Sequence, residues 1–142
     1  MLSRIHRMEL PRIVVIGHDA IKALGKESRA IGERRALVVS SETPLMVAGP
    51  DIRAALELDG VEYEIMRIKK RSLPDDVDDI TSGLRSGGYQ LTIAIGGGRV
   101  IDAAKFAASK PPNPAKLFSV PTTASHDGIC SPLVSLPSSE RR

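Results

Sequence analysis

The sequence has no tryptophan, only two phenylalanines and two tyrosines, and one cysteine in 142 residues. With aromatics at 3%, the core must be built from Ile, Val, Leu and Ala. That composition suits a buried parallel sheet flanked by helices better than a sandwich or barrel. A single cysteine, Cys130, excludes an internal disulfide and fits a reducing compartment. It has no partner motif and reads as a small buried hydrophobe. No apolar run reaches the roughly 18 residues that a membrane span needs. The basic start (Arg4, His6, Arg7, Arg12) has no apolar stretch behind it, so it does not read as a secretory signal. The cytoplasm is the expected location. A strong charge bias is lacking too: 20 Lys and Arg face 17 Asp and Glu, a net charge of +3. Basic residues are neither gathered on one face nor interleaved with stacking aromatics, which argues against a nucleic-acid partner.

What is present is an alternation of short apolar runs and helical patterns over one domain's length. Strands are expected at Arg12–Ile16, Ala36–Val39, Val61–Ile68, Leu91–Ile95 and Lys116–Val120. Between them, helices are expected from Asp19 to about Gly32, after Thr43 to Leu58, from Leu73 to Gly87 and from Arg99 to Ser109. Pro50 is expected to start or restart the second helix. The segment Lys110–Pro114 holds three prolines and reads as a loop. Such alternation predicts an α/β fold, a Rossmann-like and mostly parallel sheet with right-handed crossovers. Ligands of such sheets bind at the carboxyl ends of strands, which points to the loops after the fourth and fifth strands.

The fourth strand runs straight into Gly96-Gly97-Gly98-Arg99-Val100-Ile101-Asp102. Three glycines between a buried strand and a helix let the backbone turn sharply and approach a ligand closely. The first N–H groups of the helix lack intrahelical partners, and the helix dipole adds positive charge there, so the turn is suited to phosphate. Arg99 opposes the dipole and needs a compensating anion, either Asp102 or a bound pyrophosphate. The alternative is a glycine turn that only packs helix against strand. The stretch is neither a P-loop nor the strict G-x-G-x-x-G pattern, because Ile101 stands where the third glycine would be.

After the fifth strand comes Ser119-Val120-Pro121-Thr122-Thr123-Ala124-Ser125-His126-Asp127-Gly128. Its hydroxyls could bond a cofactor, and Asp127 could accept from substrate hydroxyls. Read alone, it could equally be a helix N-cap turn. Adjacent His126 and Asp127 rarely converge on one metal, and His6 and His18 are remote in sequence. No catalytic residue and no metal ligand is assigned within the chain. The acidic run Asp75, Asp76, Asp78 and Asp79 reads as a solvated face at a helix start.

Together the two motifs, in this order, resemble the sn-glycerol-1-phosphate dehydrogenases. Those belong to the superfamily of iron- or zinc-dependent alcohol dehydrogenases, glycerol dehydrogenases and dehydroquinate synthases. The resemblance covers essentially the whole chain and implies that residues 1–142 are the N-terminal NAD(P)-binding domain of a normally two-domain enzyme. It implies cofactor contacts from Gly96, Gly97, Gly98, Arg99, Val100, Ile101 and Asp102, and from Thr122, Thr123, Ala124, Ser125 and Ser131. Asp127 would meet the substrate. The cofactor would be NAD or NADP. The implied reaction is reduction of dihydroxyacetone phosphate to sn-glycerol 1-phosphate for archaeal membrane phospholipid synthesis. A zinc would polarise the carbonyl, and its ligands would lie in a helical second domain outside this chain.

On that reading the isolated chain is inactive, and the longer enzyme is a homo-oligomer. The alternatives are the cofactor domain of another polyol dehydrogenase and a stand-alone nucleotide-binding module. The loop Lys110–Pro114 and Pro50 depart from the family pattern. An acid at the end of the second strand often selects NAD. Here Ser40 and Ser41 precede Glu42, so both NAD and NADP are expected to be accepted.

Overall fold

The run at Ala36–Val39 is apolar on both sides of the chain, and only a strand covered on both faces can bury it. In the computed structural model, which describes residues 13–16, 20–69, 72–110, 114–121 and 133–136, that run lies inside a six-stranded sheet. The strands are β1 (Ile13–Ile16), β2 (Arg35–Ser40), β3 (Glu62–Arg67), β4 (Leu91–Gly96), β5 (Lys116–Pro121) and β6 (Leu133–Leu136). Their spatial order is β1-β6-β5-β4-β2-β3. Four of them, β3, β2, β4 and β5, pair in parallel.

Four helices cover the faces: α1 (Leu24–Ala30), α2 (Glu42–Leu58), α3 (Leu73–Gly87) and α4 (Gly98–Ala108). Alternate strand residues face opposite layers, as the two-residue period of a strand requires. Ala36, Val38, Leu91, Ile93, Ile95, Phe118 and Val120 pack on Leu24 of α1 and on Ala48, Ile52, Ala55 and Leu56 of α2. Leu37 and Val39 face the other way, onto Val77, Ile80 and Leu84 of α3 and Val100, Ala103 and Ala107 of α4. Phe118 is fully buried, and truncating such a ring to Ala typically costs about 3–5 kcal/mol. Helix α3 starts in a local way. Its N-cap, Ser72, accepts the Asp75 N–H at 3.2 Å, and Pro74 occupies the first turn, where no donor is needed.

Three features differ from the sequence expectation. β6 was not anticipated. It pairs antiparallel with both β1 and β5, so β1 does not join the parallel set. Pro50 neither starts nor ends a helix but lies inside α2. It lacks the N–H that would bond the carbonyl of Met46. Both residues are on the exposed side of the helix, where water can replace that bond. Finally, the first helical segment opens as a 3-10 turn, Ala20–Ala23, before α1. Among the described residues no helix is long and apolar enough to cross a membrane.

Candidate functional site

The strand order reverses between β2 and β4. From β2 the chain crosses through α2 to β3 on one side. From β4 it crosses through α4 to β5 on the other side. α2 and α4 cover opposite faces of the sheet, so their N-termini flank a crevice at the carboxyl ends of β2 and β4. Open α/β sheets bind ligands in such a crevice. Here it is a cleft of ≈ 460 Å³, lined by Ser41, Glu42, Thr43, Pro44, Gly97, Gly98, Arg99 and Val100.

The floor of the cleft is fixed by Ser40, the last residue of β2. Its buried hydroxyl donates to the carbonyl of Ile95 at 2.9 Å and approaches that of Ser41 at 3.1 Å. Ser41 stands at the N-cap of α2 without a capping bond from its side chain. It is 6% exposed and lines the cleft.

The three glycines do different things. Gly96 has φ +152, and a Cβ there would lie 3.0 Å from the Val100 side chain. Only glycine takes that turn without strain. At Gly97 and Gly98 a Cβ would meet nothing within 4 Å. The space above them is open, and glycine keeps it so. The first bond of α4 runs from the Ile101 N–H to the Gly97 carbonyl at 3.1 Å. The N–H groups of Gly98, Arg99 and Val100 precede it and have no partner within the helix. An open cradle with three donors and a helix dipole behind it fits a phosphate or pyrophosphate.

Arg99 lines the cleft, and its partner is not Asp102. Its Nη2 lies 3.2 Å from Oδ2 of Asp76, in the first turn of α3. Asp76 is completely buried, so the acidic run is not wholly a solvated face. Asp75, Asp78 and Asp79 are exposed and Asp76 is not.

Of the residues singled out in the glycine motif, Gly97, Gly98, Arg99 and Val100 come together at the cleft, with Gly96 beneath them. Ile101 is half-buried and Asp102 exposed further along α4, and neither lines the cleft. Thr122, Thr123, Ala124, Ser125, Asp127 and Ser131 lie outside the described residues. The reading of the motif did not include the start of α2, residues 41–44, as cleft wall. Its signal was the polar cluster that ends the second strand. Among the described residues no three His, Cys, Asp or Glu side chains converge on one point, so the zinc implied by the resemblance has no place among them. A second depression, between β3 and α3, is lined by Met66, Arg67, Ile68, Asp79, Ser82, Gly83 and Ser86, at the carboxyl end of α3 rather than at a helix start.

A mostly parallel sheet with helices on both faces and a glycine-rich helix start at its switch point defines a Rossmann-like α/β domain. More narrowly, the chain belongs to the iron-containing alcohol dehydrogenase family, whose model matches residues 15–142. It is 35% identical over 132 residues to the glycerol-1-phosphate dehydrogenase [NAD(P)+] of Thermococcus kodakarensis, covering 92% of this chain and 37% of that protein. Against the protein of the same name from Methanothrix thermoacetophila, the identity is 40% over 132 residues, covering 91% and 36%. The chain therefore spans little more than a third of the length of these curated relatives. Among solved structures, it matches a 1,3-propanediol oxidoreductase with TM-score 0.73 and 20% identity, covering 86% of this chain and 37% of the other. The NADH-dependent butanol dehydrogenase A of Thermotoga maritima gives TM-score 0.72 and 18% identity, covering 86% and 35%. These two likenesses concern the fold.

Proposed function

We propose that this chain is the NAD(P)-binding domain of an sn-glycerol-1-phosphate dehydrogenase, which reduces dihydroxyacetone phosphate in the cytoplasm on the route to archaeal membrane phospholipids. The observation that carries the proposal is the open cradle of Gly97 and Gly98 at the start of α4, facing the start of α2 across the switch point. The names of the relatives supply the substrate.

On this reading, the N–H groups of Gly98, Arg99 and Val100 bind the pyrophosphate of the cofactor. Glu42 and Ser41, at the end of β2, meet the adenosine ribose. Thr122, Thr123, Ala124, Ser125 and Ser131 line the remainder, and Asp127 orients the substrate by accepting from its hydroxyls. The bound nicotinamide supplies the hydride. The protein's part is to hold cofactor and substrate in register and to exclude water, since position alone contributes much of such rate enhancement. The zinc and the homo-oligomer remain part of the proposal for the longer protein.

Because Ser41 rather than an acid comes directly after β2, NADH and NADPH are both expected to bind. Fluorescence titration of the chain with each cofactor tests this. A preference for NADH above about a thousandfold, roughly 4 kcal/mol, would contradict it. For the substrate, the test is an assay of the longer protein with dihydroxyacetone phosphate and with glycerol. Turnover of glycerol alone moves the chain to another branch of the family. Binding of neither cofactor removes the proposal.

A further inference from the structure

We infer that Asp76, on α3, is a positioning residue for the nucleotide-binding turn: it fixes Arg99 so that the guanidinium presents its free N–H groups to the cleft. The inference rests on the reading of that cleft as a phosphate site.

Two observations carry it. The first is the location of Arg99. It is the second residue of α4, where a cation opposes the helix dipole, and a side chain so placed gains from a nearby anion. Its Nη2 reaches Oδ2 of Asp76 at 3.2 Å, across the contact between α3 and α4. The Arg99 side chain is 41% exposed and that of Asp76 0%. One end of the pair is therefore sealed in the protein, while the other borders the cleft.

The second observation is how incompletely the pair is matched. Arginine and carboxylate can form two parallel bonds, but here only one is made. Asp76 Oδ1 is buried and has no hydrogen-bond partner among the described residues. A buried carboxylate with a spare oxygen is costly to keep unless its cation is held. Asp76 thus has no low-cost way to release Arg99. The single bond leaves most of the five guanidinium N–H groups uncommitted. Anchored at one nitrogen, the fork is restrained without being used up.

This arrangement distinguishes two ways in which Arg99 could serve an anion. If it acted as a loose charge, Asp76 would be an inhibitor, because it cancels that charge. If it acts as a fixed donor, Asp76 is needed, because a free arginine must lose side-chain entropy each time it binds. The sealed end and the monodentate bond match the second.

The two cases give opposite signs for Asp76→Asn, which nearly keeps the shape and removes the charge. Binding of NADH and of inorganic pyrophosphate to the full chain is measured by titration, and folding by circular dichroism. Asp76→Asn is expected to weaken both ligands about three- to tenfold. In an Arg99→Ala background the same change is expected to have no further effect on affinity, since Asp76 acts through Arg99. Should Arg99→Ala fail to fold with Asp76 left unpaired, Arg99→Lys takes its place: it keeps a cation for Asp76 but removes the fork. Tighter binding by Asp76→Asn overturns the inference. So does unchanged affinity of the folded protein, which would make the pair a structural contact only. If pyrophosphate binds and NADH does not, the dinucleotide reading fails while the role of Asp76 is still decided by pyrophosphate. If neither binds, both fall.

Discussion

Gly96 and Gly98 are two residues apart, yet substitution at each should report a different property. At Gly96 the backbone has a positive φ and Val100 crowds the missing Cβ. Gly96→Ala is expected to lower stability by about 1–3 kcal/mol, read as an earlier urea midpoint at unchanged slope. At Gly98 a side chain meets no protein atom, so Gly98→Val should leave the midpoint near that of the parent and fill the cradle instead. Its expected signature is loss of measurable NADH binding, and unchanged affinity in a fluorescence titration would refute the role given to the turn. This much of the site was readable in the sequence, because three glycines between a strand and a helix are a local pattern. The partner of Arg99 was not. Asp102 is its neighbour in sequence, whereas Asp76 is brought to it by the packing of α3 on α4. Within Asp75–Asp79 only the helical period separates the carboxylates: Asp76 lies four residues before Ile80 and eight before Leu84, on the apolar face of α3, and the reading as a solvated face passed over it.

The elements themselves were mostly legible, since β2, β4 and β5 are largely apolar runs, β3 alternates, and their order is the usual βα alternation. β6 was missed because Leu133–Leu136 is only four residues long and stands between Pro132 and Pro137, which weaken a strand signal. Pro50 misled in the opposite direction: propensity says break, but an exposed position on a helix held by Leu45, Ala48, Ile52, Ala55 and Leu56 tolerates it. Tyrosines hold β3 to its neighbours. The Tyr63 hydroxyl donates to Glu57 of α2 at 2.6 Å, and that of Tyr89 donates to Glu64 of β3 at 2.8 Å. Arg35 lies over the Tyr89 ring, 4.6 Å from its centre. Both phenols are raised above their ordinary value of 10.0, Tyr63 mainly by the bond to Glu57 and Tyr89 mainly by burial and then by the bond to Glu64. A raised value means that the folded state holds the proton more tightly than the unfolded one. The stability this contributes is present in full below pH 10.0 and lost as pH rises through the raised values. Tyr63→Phe and Tyr89→Phe should therefore be less stable than the parent at pH 8 and approach it above pH 10. Urea midpoints measured across that range check this, and a gap that stays constant with pH would contradict it.

At the scale of the whole molecule, the described residues form a sheet, its helices and one cleft wall from each side of the switch point. A catalytic zinc takes about three protein ligands, and none of the described residues form such a set. After dialysis the chain is expected to retain less than stoichiometric zinc and to show no reduction of dihydroxyacetone phosphate. Full occupancy together with turnover would place the metal site within this chain. The sheet order has a further effect, visible in the exchange of amide hydrogens with deuterated solvent. β2 is paired on both sides, with β3 and β4, and β4 with β2 and β5. Among the described residues β3 is paired on one side only, so half of its N–H groups point away from the ladder. Opening the middle of the sheet requires the whole layered structure to come apart, while the β3 margin can fray alone. The slowest amides should thus be those of Val38, Val39, Ile93 and Ile95. The two strands whose carboxyl ends open onto the cleft should therefore be the last part of the sheet to let solvent in.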